Sequence, residues 1–174
     1  MSKAFTSEET PEAGPLSRPA PRLAPGAARY VTPEGHRALR DALESLRAER
    51  TAAAALPESQ RAGRVADIDA RVALAEATLA ALTVLGPAVA PPGTVGFGTW
   101  VTVEDERGRR STWRVVGPDE ADARGGLVSV HAPVGRALLG CAVGDRVEVE
   151  RPGGPAALVV VDVRHSAPGP APGS

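Results

Sequence analysis

Two periodicities divide the chain. Between Thr32 and Leu82, positions recur at a helical spacing of three and four: His36, Leu39, Leu43, Leu46, Arg50 and Ala53 in one run, then Val65, Ile68, Val72, Ala75, Leu79 and Leu82 in another. The second run keeps the alternating spacing of a heptad seam. Thr32 is placed to cap the first helix, Pro33 suits its first turn, and Glu34 lies near the positive end of its dipole. Pro57-Glu58-Ser59-Gln60 separates the two runs, and Pro57 must end one helix or start the next. An antiparallel coiled-coil hairpin is expected, with each seam covering the other.

From residue 96 the period changes to two. Val101 and Val103, Trp113 and Val115, Val128 and Val130, Val147 and Val149, and then Val159, Val161 and Val163 alternate with other residues, mostly polar. These predict five short strands, with turns at Arg107-Gly108, Gly125-Gly126 and Pro152-Gly153-Gly154. Pro133 to Gly140 reads as one short helix ended by glycine, with Leu138 and Leu139 packing it onto the sheet. The fold class is therefore α+β: a helical hairpin followed by a small antiparallel sheet domain with one short helix.

The flanks set the domain limits. Residues 1–29 and 166–174 are rich in Pro, Ala, Gly and Ser and read as disordered tails. The hairpin then spans 30–85, a Pro-rich linker 86–95, and the sheet domain 96–165.

Composition removes several functions. The chain has 174 residues, a formal net charge of −1 and only 3% aromatic residues, so neutralising nucleic-acid phosphates is not its main task and an aromatic-lined pocket is not expected. Its single lysine, Lys3, follows no glycine-rich loop, which removes the usual phosphate site of ATPases. Cys141 is alone and His36, His131 and His165 are scattered, so neither a disulfide, a metal site nor a cofactor is expected. Cys141 has no basic neighbour in sequence to activate it. Asp119-Glu120-Ala121-Asp122 spells a helicase motif, but without a phosphate loop it reads as a polar loop between the second and third strands of the sheet domain. The run Glu104-Asp105-Glu106 with Arg107, Arg109 and Arg110 reads as a solvated hairpin. No nucleophile elbow or acid–base carboxylate pair is visible, and no enzyme is expected. No apolar run approaches the roughly twenty residues of a membrane span, and a cytoplasmic protein fits best.

Read together, hairpin and sheet resemble a known family. Tyr30-Val31-Thr32-Pro33-Glu34-Gly35 followed by a leucine-bearing helix resembles the opening of the GreA/GreB transcript-cleavage factors, and Arg64 to Arg71 is similar to their returning helix. Val95 to Val103, Val115 to Asp122, Val128 to Gly140, Val143-Gly144-Asp145 and Pro152-Gly153-Gly154 are similar, in order, to the family's C-terminal domain. The Ala132-Pro133-Val134-Gly135 form also resembles Rnk, a short-hairpin relative. The likeness covers residues 30–164.

The resemblance implies an FKBP-like sheet domain that grips the rim of the RNA polymerase secondary channel while the hairpin enters it. In the family, a Gly-Asp-Leu-Ser-Glu-Asn tip supplies two carboxylates that help hold a magnesium ion for cleaving backtracked RNA. Here the tip reads Ala55-Leu56-Pro57-Glu58-Ser59-Gln60-Arg61, with one carboxylate. The hairpin is also shorter than a cleavage factor's by about twenty residues, or ~15 Å of reach at the α-helical rise. The expectation is polymerase docking without chemistry, in competition with cleavage factors. Polymerase-facing positions carried over from the family are Asp119, Glu120, Asp122, Ala132, Pro133 and Val134, with Pro57, Glu58 and Ser59 at the tip. The partner is RNA polymerase, nucleic acid being met only through that complex, and the protein is expected to be a monomer. Arg47, Arg50, Arg61 and Arg64, interleaved with acids, read as solvated ion pairs. Two alternatives stand beside this: a prolyl isomerase-like domain, whose pocket would have only Phe97, Trp100 and Trp113 to draw on, and a non-catalytic coiled-coil adaptor, against whose self-association Arg50 stands at a core position.

Overall fold

The computed structural model of the protein describes residues 28–86, 90–150 and 154–167. The predicted tails lie outside these residues apart from 28–29 and 166–167, as does the middle of the predicted linker.

Thr32 sits in extended conformation, and its hydroxyl accepts the amide of Gly35 at 3.0 Å, so the chain enters α1 (Pro33–Ala54) through a side-chain cap. The second helix, α2 (Glu58–Ala80), has Pro57 as its N-cap, so Pro57 starts this helix rather than ending the first. The two arms run antiparallel: Arg47 meets Glu76, and Arg50, further along α1, meets Asp69, further back along α2. Leu43 and Leu46 pack with Ala75, flanked by Val72 and Leu79. Arg50, predicted at a seam position, is exposed, because its guanidinium reaches outward to Asp69. At 22 and 23 residues the arms are about 34 Å long.

Leu82 does not extend the seam. The helix stops at Ala80, and Leu82–Val84 form a strand, β2, parallel to β1 (Arg29–Val31). This two-stranded ribbon closes the base of the hairpin, and Arg29, read above as tail, is its first residue.

The remaining strands are β3 (Trp100–Asp105), β4 (Arg110–Val116), β5 (Leu127–Ser129), β6 (Arg146–Val149) and β7 (Ala156–Arg164). They form one sheet in the order β5-β4-β3-β7-β6. The expectation of a wholly antiparallel sheet is corrected at one edge, where β4 and β5 pair parallel. Between them the chain doubles back through residues 117–126, a turn closed by reciprocal Asp122–Leu127 backbone hydrogen bonds of 2.8 and 2.9 Å, and so re-enters the sheet in its original direction.

The inward positions of β7 also differ from a simple alternation. Leu158 and Val160 are buried, not Val159 and Val161. A register shift against β3 between Thr102 and Val103 leaves Val161 unpaired, and this bulge returns Val163 to the core side. The sheet core comprises Val95, Val101, Val103, Val115, Leu138, Val149, Leu158 and Val160. Val95, read as linker, is thus core. The short helix, α3 (Pro133–Leu138), ends two residues earlier than predicted. Leu138 is buried as expected, but Leu139 follows the last helical residue and is 39% exposed.

The hairpin and sheet clusters share no residue. Among the described residues no helix is long and apolar enough to cross a membrane.

Candidate functional site

The acidic loop after β4 faces the base of the hairpin. Asp119 takes a two-pronged contact from the guanidinium of Arg29, with Nε at 3.2 Å, and its side chain is only 6% exposed. Glu120 accepts the backbone amide of Thr32 at 2.7 Å, the Thr32 hydroxyl, and the amide of Gly117 at 3.3 Å. The Thr32 hydroxyl therefore works in both senses, accepting from Gly35 and donating to Glu120. Close approach is made possible by two glycines: a β-carbon at Gly35 would come within 2.1 Å of the Glu120 carboxylate, and one at Gly117 within 1.9 Å of the Tyr30 carbonyl oxygen.

Further contacts flank this joint. Arg114 donates to Glu34 at 2.9 Å and to the Gly98 carbonyl at 3.1 Å, while its guanidinium lies 5.7 Å from the centre of the Trp100 ring. Hydrogen bonding from its own backbone amide, with Arg114 adding to it, holds the Glu34 carboxyl below its ordinary range. Tyr30 meets Phe97 edge-on, with ring centroids 6.2 Å apart.

The six positions expected to face a partner thus separate. Asp119 and Glu120 are committed to the hairpin base. Asp122 closes the following turn, accepting the amide of Arg124 at 3.1 Å. Ala132 is the N-cap of α3, half-buried, and Val134 packs partly against the sheet core. Pro133 alone of the six is exposed. Beyond the helix, Leu139 and Val143 are also exposed, Val143 by 52%, and neither was singled out from the sequence as an exposed contact. Their signal was present: Leu139 falls outside the helix once Gly140, with φ of +84°, turns the chain.

At the hairpin tip, Pro57, Glu58 and Ser59 are exposed, and the Glu58 carboxylate is held by Arg61 one turn along. Ser59 and Gln60 are neutral, so the tip lacks the pair of hard anionic ligands that a magnesium ion would need. The tip does not fit that role. Arg47 bridges Glu44 and Glu76, Arg50 pairs with Asp69, and Arg64 and Arg71 both reach Glu49. The Cys141 thiol donates to the Ala137 carbonyl at 3.3 Å, and burial, with Asp145 nearby, pushes its pKa up, away from reactivity. Two of the three rings available for an isomerase pocket are used elsewhere, Phe97 against Tyr30 and Trp100 under Arg114.

A mixed sheet bearing a two-helix finger on a polar joint defines the architecture, and comparison with known proteins gives the family. Residues 90–165 match the family model described as transcription elongation factor GreA/GreB, C-terminal. A transcription elongation factor GreB from Pseudomonas aeruginosa is 36% identical over 150 residues, covering 78% of this chain and 89% of that protein. A GreA from Alkalilimnicola ehrlichii is 43% identical over 101 residues, covering 57% of this chain and 64% of the relative, so less than two thirds of its length. Among solved structures, the prokaryotic GreA/GreB from Nitrosomonas europaea is 30% identical over 78% of this chain and 98% of its own, with a TM-score of 0.40. The chain belongs to the GreA/GreB family of transcription elongation factors.

Proposed function

We propose that this protein binds RNA polymerase at the rim of its secondary channel through the sheet domain, which we read as FKBP-like, and places its hairpin in the channel without stimulating transcript cleavage. It is then a non-enzymatic elongation regulator that occupies a site cleavage factors also use. The observation that carries this reading is the tip: its one carboxylate, Glu58, is engaged by Arg61, and no second acid stands beside it. A finger that brings no paired oxygen ligands can fill a channel but cannot supply the hard anionic pocket that a second metal requires.

Docking centres on Pro133, with Ala132 and Val134 shaping the surface around it and Asp122 at its acidic margin. Asp119 and Glu120 are left out of the contact surface because their oxygens are already occupied inside the molecule.

The test is RNA cleavage in a backtracked elongation complex built with the cognate polymerase. The protein alone is expected to be inert, and titration against an active cleavage factor is expected to suppress cleavage in proportion to dose. Cleavage by the protein alone overturns the reading and makes Glu58 the first residue to replace.

A further inference from the structure

We infer that Glu120 is a positioning residue: its carboxylate, by holding Thr32, fixes the direction in which the hairpin leaves the sheet. The inference deepens the docking reading, in which a finger and a grip must be aligned for one partner, and it rests on that reading for its biological purpose.

The two main hydrophobic clusters do not set the direction between them. The hairpin is packed on Leu43, Leu46 and Ala75 and the sheet on a separate set of valines and leucines, with no residue common to both. Interdigitated side chains resist sliding and rotation because dense packing leaves no free volume. Where two bodies lack that, their relative orientation falls to the contacts at the joint. Here the buried Val31, the Tyr30–Phe97 pair and a set of hydrogen bonds fall on the few residues that precede and start α1, and the hydrogen bonds are the directional part.

Among them Glu120 is the hub. It accepts three donors, two of them from Thr32. Thr32 is fully buried, so water cannot replace these bonds when they break, and an orphaned amide there is costly. Its hydroxyl also caps α1 through Gly35, which ties the axis of the helix to the position of the carboxylate. Rotation of the hairpin about its base must therefore break the cap, the amide bond, or both. By contrast, the Arg114–Glu34 pair has a carboxylate 58% exposed and is screened by solvent. Arg29–Asp119 fastens β1, one step removed from the helix. The room for this arrangement is made by Gly35 and Gly117, at each of which a side chain would collide with the joint.

The experiment measures direction rather than stability. In the full chain, with Cys141→Ser to free the labelling chemistry, spin labels are placed on Ser59→Cys at the tip and Arg107→Cys on the β3–β4 turn, and their separation is read by double electron–electron resonance. The parent should give one narrow distance distribution. Glu120→Gln, which puts an NH2 donor where one of the two carboxylate oxygens accepts from Thr32, should at least double its width while far-UV circular dichroism stays unchanged. Thr32→Val should also broaden it, whereas Thr32→Ser, which keeps the hydroxyl, should leave it narrow. An unchanged width in folded Glu120→Gln or Thr32→Val overturns the inference. Competition with a cleavage factor for polymerase is measured separately on the parent chain: failure there sinks the docking reading and leaves the distance result standing.

Discussion

The backbone of Gly117 passes so near Tyr30 that a β-carbon at residue 117 would lie 1.9 Å from the Tyr30 carbonyl oxygen, far inside van der Waals contact. The two residues belong to different parts of the chain, one just after β4 and the other inside the ribbon at the hairpin base. Gly117→Ala should therefore cost about 1–3 kcal/mol, the usual penalty for forcing atoms into a filled space. Urea denaturation of parent and variant measures it, and an unchanged midpoint would show that the approach is looser than described.

Separate cores should unfold separately. Leu43→Ala removes a buried side chain from the hairpin cluster and should cost about 2–5 kcal/mol there. Both tryptophans, Trp100 and Trp113, lie on the sheet, while the helices dominate far-UV circular dichroism. In this variant the dichroism transition should precede the fluorescence transition on heating. Coincident curves would mean that the joint couples the two bodies into one cooperative unit.

Acid should weaken the joint through Glu34. Its folded pKa lies below the ordinary value of 4.5, so its stabilisation is present above that value and is lost as pH falls through the folded one. Glu34→Gln should be less stable than the parent at pH 7, and the gap in urea midpoint should close towards pH 3. A gap that persists at pH 3 would assign the loss to shape rather than charge. Asp69 and Asp105, also lowered by their arginine and backbone partners, add to the same acid limb without involving the joint.

The docking surface is tested by Pro133→Asp, which puts a charge on an exposed apolar position while leaving the core intact. Competition with a cleavage factor should fall at least tenfold, with circular dichroism unchanged. Equal competition by the variant would remove Pro133 from the contact.

At the tip, Glu58→Ala should leave that competition within twofold of the parent, since the carboxylate already has a partner in Arg61. A large loss would mean that Glu58 trades Arg61 for a group on the polymerase.

The parts of the fold that were legible in the sequence are those whose cause is local. Thr32-Pro33-Glu34 announced a helix start, and Ile68 and Ala75 kept heptad time because each faces the other arm. The strands β1 and β2 escaped notice because Leu82 keeps the heptad spacing of the helix before it and Arg29 shares the composition of the tail. The inward face of β7 was misassigned at Val159 and Val161 because a bulge changes the phase of alternation, and nothing in that segment marks where the extra residue falls. The joint was hidden for a different reason. Thr32 and Glu120 are 88 positions apart, and Arg29 and Asp119 are 90 apart. An acidic loop looks the same in sequence whether it awaits a partner or has one at home. Only the GreA/GreB resemblance drew attention to it, and in the structure two of its three acids, Asp119 and Glu120, bond to residues at the hairpin base.

The pairing of Arg47, Arg50, Arg64 and Arg71 with acids has a kinetic consequence. Opposite charges a few ångströms apart present a partner with short-range dipoles rather than a net field, and beyond about 8 Å at physiological ionic strength little of that survives. A finger built this way is not drawn towards a charged channel from a distance. Its arrival should depend on random encounter and correct orientation, with an association rate that changes little when salt is raised.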